Sequence, residues 1–107
     1  MSERINGEEI KWNTDIEYAY ADSGKDKATV FETFVKRKGK LFVITVYPIA
    51  LIDKISREWD YRIATVTKNG EIIDEYDAGA EHGTHFASAE EAKTASIRML
   101  RDMLEEH

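Results

Sequence analysis

Asn69-Gly70 stands between two runs of alternating residues, Trp59 to Lys68 and Glu71 to Asp77, and limits the fold more than any other feature of the chain. A type I′ turn needs positive φ at both central residues, which asparagine and glycine tolerate, so the two runs are expected to pair antiparallel. The expected partners are Lys68 with Glu71, Thr67 with Ile72, Val66 with Ile73, Ile63 with Tyr76 and Arg62 with Asp77. One face then gathers Trp59, Tyr61, Ile63, Ile72 and Tyr76, while the other sets Lys68 against Glu71 and Arg62 against Asp77. Asp74 falls on the apolar face, where an edge position or a hydrogen bond to Thr65 opposite it would account for its charge.

Downstream, Ser88-Ala89-Glu90-Glu91 opens a helix. Ser88 is placed to cap the Glu91 amide, with the Glu91 carboxylate returning to the Ser88 amide, and Phe86 or Ala87 is placed to staple the helix start to the core. Ala92, Ala95, Ser96, Met99, Leu100 and Met103 share the face expected to be buried, in a helix over 89–105. Acidic residues at its start and Arg98 and Arg101 toward its end match the helix dipole.

Three more strands are expected upstream, near 16–20, 29–37 and 40–47, beside those near 59–68 and 71–77. Lys38-Gly39 is a tight reversal that would set Val35 opposite Phe42, Thr33 opposite Ile44 and Phe31 opposite Val46, all on one face. Pro48 cannot donate a ladder hydrogen bond and is expected to end its strand or mark an edge or bulge. The segment from Pro48 to Arg57 admits a short helix or an irregular crossover, either of which would bury Ile49, Ile52 and Ile55. Glu8 to Trp12 has room for a turn of helix.

These elements describe one α+β domain over residues 1–107: an antiparallel meander sheet of four to five strands with a C-terminal amphipathic helix packed on one face. With 42% hydrophobic and 34% charged residues and one proline, the chain has the composition of an ordered globular protein. It contains no cysteine, which excludes disulfides, thiolate nucleophiles and cysteine-ligated metals and suits the cytoplasm. Acidic residues near Met1 and the lack of an apolar run of membrane-spanning length argue against export and insertion. The net charge of -6 is uneven: residues 28–70 carry +4, against -3 before them and -7 after them.

Sites with ligand chemistry are few. His82 and His85 with Glu81, in the loop after Glu75 and Asp77, have residue types that suit zinc, but the helical His-Glu-x-x-His pattern is absent and Gly83 interrupts the pair. Ser88 lies near His85, yet its hydroxyl is committed to the helix cap, so no nucleophile with a base is assembled. No glycine pattern that cradles phosphate is present, and no cofactor is expected. The basic hairpin tip Lys36, Arg37, Lys38 and Lys40, beside Phe34 and Phe42, has the charge to grip phosphates; solubility and protection of a sheet edge explain the same lysines, and the acidic total disfavours nucleic acid.

The run Phe86-Ala87-Ser88-Ala89-Glu90-Glu91-Ala92-Lys93-Thr94-Ala95, following two strands and continuing to Leu100, resembles the end of small HicB-like domains, in which a sheet leads into a helix with a similar Ser-x-Glu-Glu-Ala start. Such domains bind toxin ribonucleases and operators, so the resemblance implies a protein partner. It covers a tenth to a third of the chain, and Ala80-Glu81-His82-Gly83-Thr84 replaces the proline-and-glycine segment those domains carry before the helix.

One helix covers one face of five strands. The other face is expected to present Phe34, Val43 and Tyr47, with Tyr18 and Tyr20, as a surface for a protein partner or a second copy. The expected role is therefore a non-catalytic protein-binding or regulatory module. Two alternatives stand beside it: an acidic mimic of nucleic acid that engages a basic groove through residues 71–106, and a metal-binding protein or enzyme using the 75–85 loop.

Overall fold

The computed structural model describes residues 4–5, 8–9, 11–19, 27–37, 39–50, 55–79 and 85–105, giving the backbone alone for 4–5, 8–9, 14–19, 27–29, 50 and 55–57. Among them the elements run β1 (Arg4–Ile5), β2 (Glu8–Glu9), β3 (Asn13–Ala19), β4 (Lys27–Arg37), β5 (Lys40–Ala50), β6 (Ile55–Val66), β7 (Ile72–Asp77) and α1 (Ala89–Leu104). β3 to β7 form one antiparallel sheet in chain order, a meander, and α1 packs across one face of it. β1 and β2 pair separately, with Arg4 opposite Glu9 and Ile5 opposite Glu8, so Glu8 begins a strand and not a helical turn.

The centre of the sheet has the register its apolar pairs require. Val35 faces Phe42, Thr33 faces Ile44 and Phe31 faces Val46, and β5 continues the rows into β6 with Ile44 opposite Ile63 and Val46 opposite Tyr61. Ile44, Val46, Ile63, Ile97 and Leu100 are fully buried where these rows meet the helix. Each such side chain contributes about 1.5–3 kcal/mol relative to an exposed one. Trp12 closes the core beside the start of α1, and the Lys11 carbonyl next to it accepts a hydrogen bond of 2.8 Å from the Thr33 hydroxyl.

Residues 48–50 and 55–57 are strand and neither helix nor crossover, while 51–54 lie outside the described residues. β5 runs on through Pro48 to Ala50, β6 begins at Ile55, and Ala50 pairs with Ile55 across a register shift that follows Pro48. The pairs between β5 and β4 end at Phe31 and Val46, so the proline lies beyond that ladder and the strand continues against β6 alone.

The Asn69-Gly70 turn is one residue longer than a type I′ turn. Gly70 has φ of 83° while Asn69 stays at negative φ, and the Gly70 amide donates to the Thr67 carbonyl at 3.0 Å. Thr67, not Lys68, closes the loop by donating to the Glu71 carbonyl at 2.9 Å. This is a type I turn followed by a left-handed glycine. The extra residue would displace all of β7, but a bulge follows at once: Val66 faces Ile72 and Thr65 faces Asp74, leaving Ile73 as the unpaired residue. The two displacements cancel, so Ile63 still meets Tyr76 and Arg62 still meets Asp77. Ile72 is lost from the apolar face and is 59% exposed.

The helix start follows the expected cap with one change. The Glu91 amide donates to the Ser88 hydroxyl at 3.2 Å, while the Glu91 carboxylate accepts from Ala87 and not from Ser88, at 3.1 Å. Phe86 pins this entrance to the sheet through two backbone hydrogen bonds of 2.8 Å with Trp59 and packs its ring 5.7 Å from that of Tyr61. The buried stripe is Ala92, Lys93, Ser96, Ile97, Leu100 and Leu104, rotated from the expected one, and Met103 is 38% exposed. The helix closes at Glu105 in the left-handed conformation.

Candidate binding face

The face of the sheet turned away from α1 carries the side chains expected to meet a partner. Strand alternation and register set Phe34, Val43, Ala64 and Glu75 side by side in one row, and Lys36, Leu41, Val66 and Ile72 in the next toward the hairpin tips. Phe34 is 55% exposed, Val43, Leu41 and Val66 are half-buried, and Ala64 is buried between its neighbours. The result is an apolar strip across four strands, on the face opposite the one where α1 packs. A charged row, Glu32, Thr45, Arg62 and Asp77, borders it on the far side.

Tyr18 lies opposite Ala28 in the ladder between β3 and β4, and Tyr20 lies outside the described residues. Tyr47 is on the open face but its hydroxyl is engaged. It donates toward two carboxylates, Asp60 at 3.0 Å and Asp77 at 2.5 Å. Asp60 is 5% exposed, and its other oxygen accepts the amides of Tyr61 at 2.7 Å and Gly79 at 3.0 Å. The carboxylates close tightly around Gly79: a Cβ there would stand 2.5 Å from Asp60 Oδ2 and 3.4 Å from Asp77 Oδ1. Burial lifts the Asp60 carboxyl above the usual carboxylate range, the adjoining Asp77 carboxyl adds to the rise, and the Tyr61 amide works against it. Burial also holds the Tyr47 phenol well above its ordinary value, reinforced by its hydrogen bond to Asp77. The cluster ties β5, β6 and the end of β7 together, and its raised phenol is held in the protonated, hydrogen-bond-donating form.

Sequence reading missed this cluster, because the pairing of Tyr47 with Asp60 depends on a hairpin through residues 48–57 that has no turn signature. Asp74, flagged for its place among apolar neighbours, is exposed on the outermost strand opposite Thr65. It borders a hollow of about 340 Å³ with Phe42, Ile73, Met103 and Leu104 at the end of the helix.

Of the candidate metal residues, His82 and Glu81 lie outside the described residues, while His85 is exposed with Nδ1 3.2 Å from a Glu58 carboxylate oxygen. Among the described residues no three metal-ligating side chains converge, and no helix is long and apolar enough to cross a membrane. The basic tip residues Lys36, Arg37 and Lys40 border a cleft of about 520 Å³ that Lys68, from the neighbouring hairpin, closes on its other side; Lys38 lies outside the described residues.

No protein-family model matches the chain, and no curated protein and no solved structure matches it significantly.

Proposed function

We propose that the protein is a non-catalytic binding module, acting in the cytoplasm, whose open sheet face associates with a second copy of the chain. The observation that carries this reading is the strip of Phe34, Val43, Ala64, Leu41, Val66 and Ile72 on the side of the sheet opposite α1, over which no helix lies among the elements described. Monomeric proteins rarely leave an apolar surface of this continuity on a sheet. A two-fold axis across the strands at Phe34 lays the row of Phe34, Val43 and Ala64 on its counterpart and sets Lys36 over Glu32 of the other copy. A regulatory role follows if the pairing is exchanged for a different protein carrying the same kind of face, which is also what the HicB-like helix start implies.

Sedimentation velocity over a concentration series tests the reading, comparing the wild type with Phe34→Glu. A dimer that Phe34→Glu dissociates, with the melting temperature unchanged, is the expected result. A wild type that stays monomeric throughout the micromolar range, or a dimer indifferent to that substitution, overturns it.

A further inference from the structure

We propose that the two hairpin tips at one end of the sheet form a single site for phosphate groups, in the cleft bounded by Lys36, Arg37, Lys40 and Lys68. Its cations come from two separate turns. The tip between β4 and β5 supplies three, and Lys68 arrives from the turn between β6 and β7, its Cε lying 3.9 Å from where a Cβ on Gly39 would stand. Leu41 and Thr67 complete the lining, in which no described residue is acidic.

The usual explanation of lysines at a hairpin tip is that they keep a sheet edge from pairing. Topology removes it here, because β4 and β5 are interior strands and the outer positions belong to β3 and β7. Solubility does not require the arrangement either, since a chain of net charge -6 has acidic surface elsewhere, whereas five of the eight basic residues in the segment 28–70 belong to these two turns. Gathering like charges in one concavity is unfavourable until an anion enters, and the concavity then focuses their field on it. Lysine ammonium groups on flexible stems around a guanidinium suit the dispersed charge of phosphate oxygens. The site adjoins the apolar strip at Lys36 and Leu41, whereas Lys40 and Lys68 take no part in the proposed pairing of faces.

Two phosphate sources are distinguished by two probes: fluorescein-labelled oligo-thymidylate of about a dozen nucleotides, followed by anisotropy, and inorganic tripolyphosphate, followed by amide chemical shifts of Gly39 and Gly70. The variants are Lys68→Glu and Lys40→Glu, with Arg98→Glu on the exposed face of α1 as a charge-matched control. If a polymer is bound, its affinity falls with salt at a logarithmic slope of about -0.7 for each phosphate engaged, and each tip variant weakens it roughly tenfold and lowers the slope by about one contact. If tripolyphosphate alone shifts the two glycines, and the tip variants abolish the shifts, the site takes a small phosphate. Failure of both probes at low salt, or a loss in Arg98→Glu equal to that in Lys68→Glu, overturns the proposal. Both tip lysines are exposed, and matching melting temperatures confirm that the variants fold.

Discussion

The Lys93 ammonium stands 3.8 Å from the centre of the Phe31 ring, on the helix stripe that packs against the sheet. Trp12 flanks the same cation at 5.6 Å, and the Glu90 carboxylate, itself largely exposed, reaches it at 3.1 Å. Ring and ammonium are both partly removed from water, so the aromatic contact outweighs the exposed ion pair. In a double-mutant cycle of Lys93→Met and Phe31→Leu, followed by urea unfolding, the coupling is expected to be about 0.5–2 kcal/mol. Strict additivity would assign Lys93 a packing role only.

Asp60 gives stability a pH dependence of unusual sign. Its folded-state pKa lies above the unfolded value of about 4, so the stabilisation it brings is complete below that value and is lost as pH rises through the folded one. Asp60→Asn keeps an oxygen for the Tyr61 and Gly79 amides and removes the titration. The melting temperature of the variant relative to wild type should therefore climb between pH 4 and neutrality, and a difference that stays flat would place the titration elsewhere.

Tyr47→Phe removes the hydroxyl that both Asp60 and Asp77 accept. Loss of about 1–3 kcal/mol is expected near neutral pH from leaving buried acceptors without their donor. The loss should shrink in acid, where a protonated carboxyl can donate in its place. Chemical denaturation at two pH values measures both effects.

Two glycines should fail for different reasons. Gly79→Ala forces a methyl against the Asp60 carboxyl and is expected to cost about 1–3 kcal/mol. Gly70→Ala meets no atom within 4 Å, and its cost of about 1–2 kcal/mol comes from a left-handed backbone alone. Gly70→Asn should recover part of that loss, while Gly79→Asn should be worse than Gly79→Ala. Thermal melts of the four variants separate the two mechanisms.

The rotation of the buried helix stripe is tested by a pair of truncations. Ile97→Ala, at a fully buried position, is expected to cost about 2–4 kcal/mol, and Met103→Ala, on the flank, less than about 1 kcal/mol. Equal costs would restore the stripe read from the sequence.

That stripe shows where sequence reading stopped. Lys93 hid the true face because a charged residue in an apolar row reads as solvent-exposed, and nothing in the sequence places Phe31 and Trp12 beside its ammonium. Periodicity and turn chemistry did set the antiparallel order, the β4–β5 register and the capped helix, since each rests on residues close together in the chain. The open face was legible for the same reason: Phe34 and Val43 follow from a hairpin whose turn is marked by glycine. Asp60, Tyr47 and Asp77 were not, because their meeting spans up to 30 residues and passes through a turn with no signature. The bulge at Ile73 was masked by the longer turn beside it: the three expected pairs nearest the turn, Lys68 with Glu71, Thr67 with Ile72 and Val66 with Ile73, do not form, while the two offsets of one residue cancel and leave the pairing from Thr65 to Arg62 unchanged.

Both outer ladders of the sheet are broken. Register shifts between Asn13 and Ile16 where β3 meets β4, and between Thr65 and Val66 where β6 meets β7. A strand from another molecule laid along β7 would find its bonding groups out of step at Ile73. Stacking of copies into an open-ended fibre through that border is thereby discouraged, and a chain with exposed isoleucines on its outermost strand can remain dispersed.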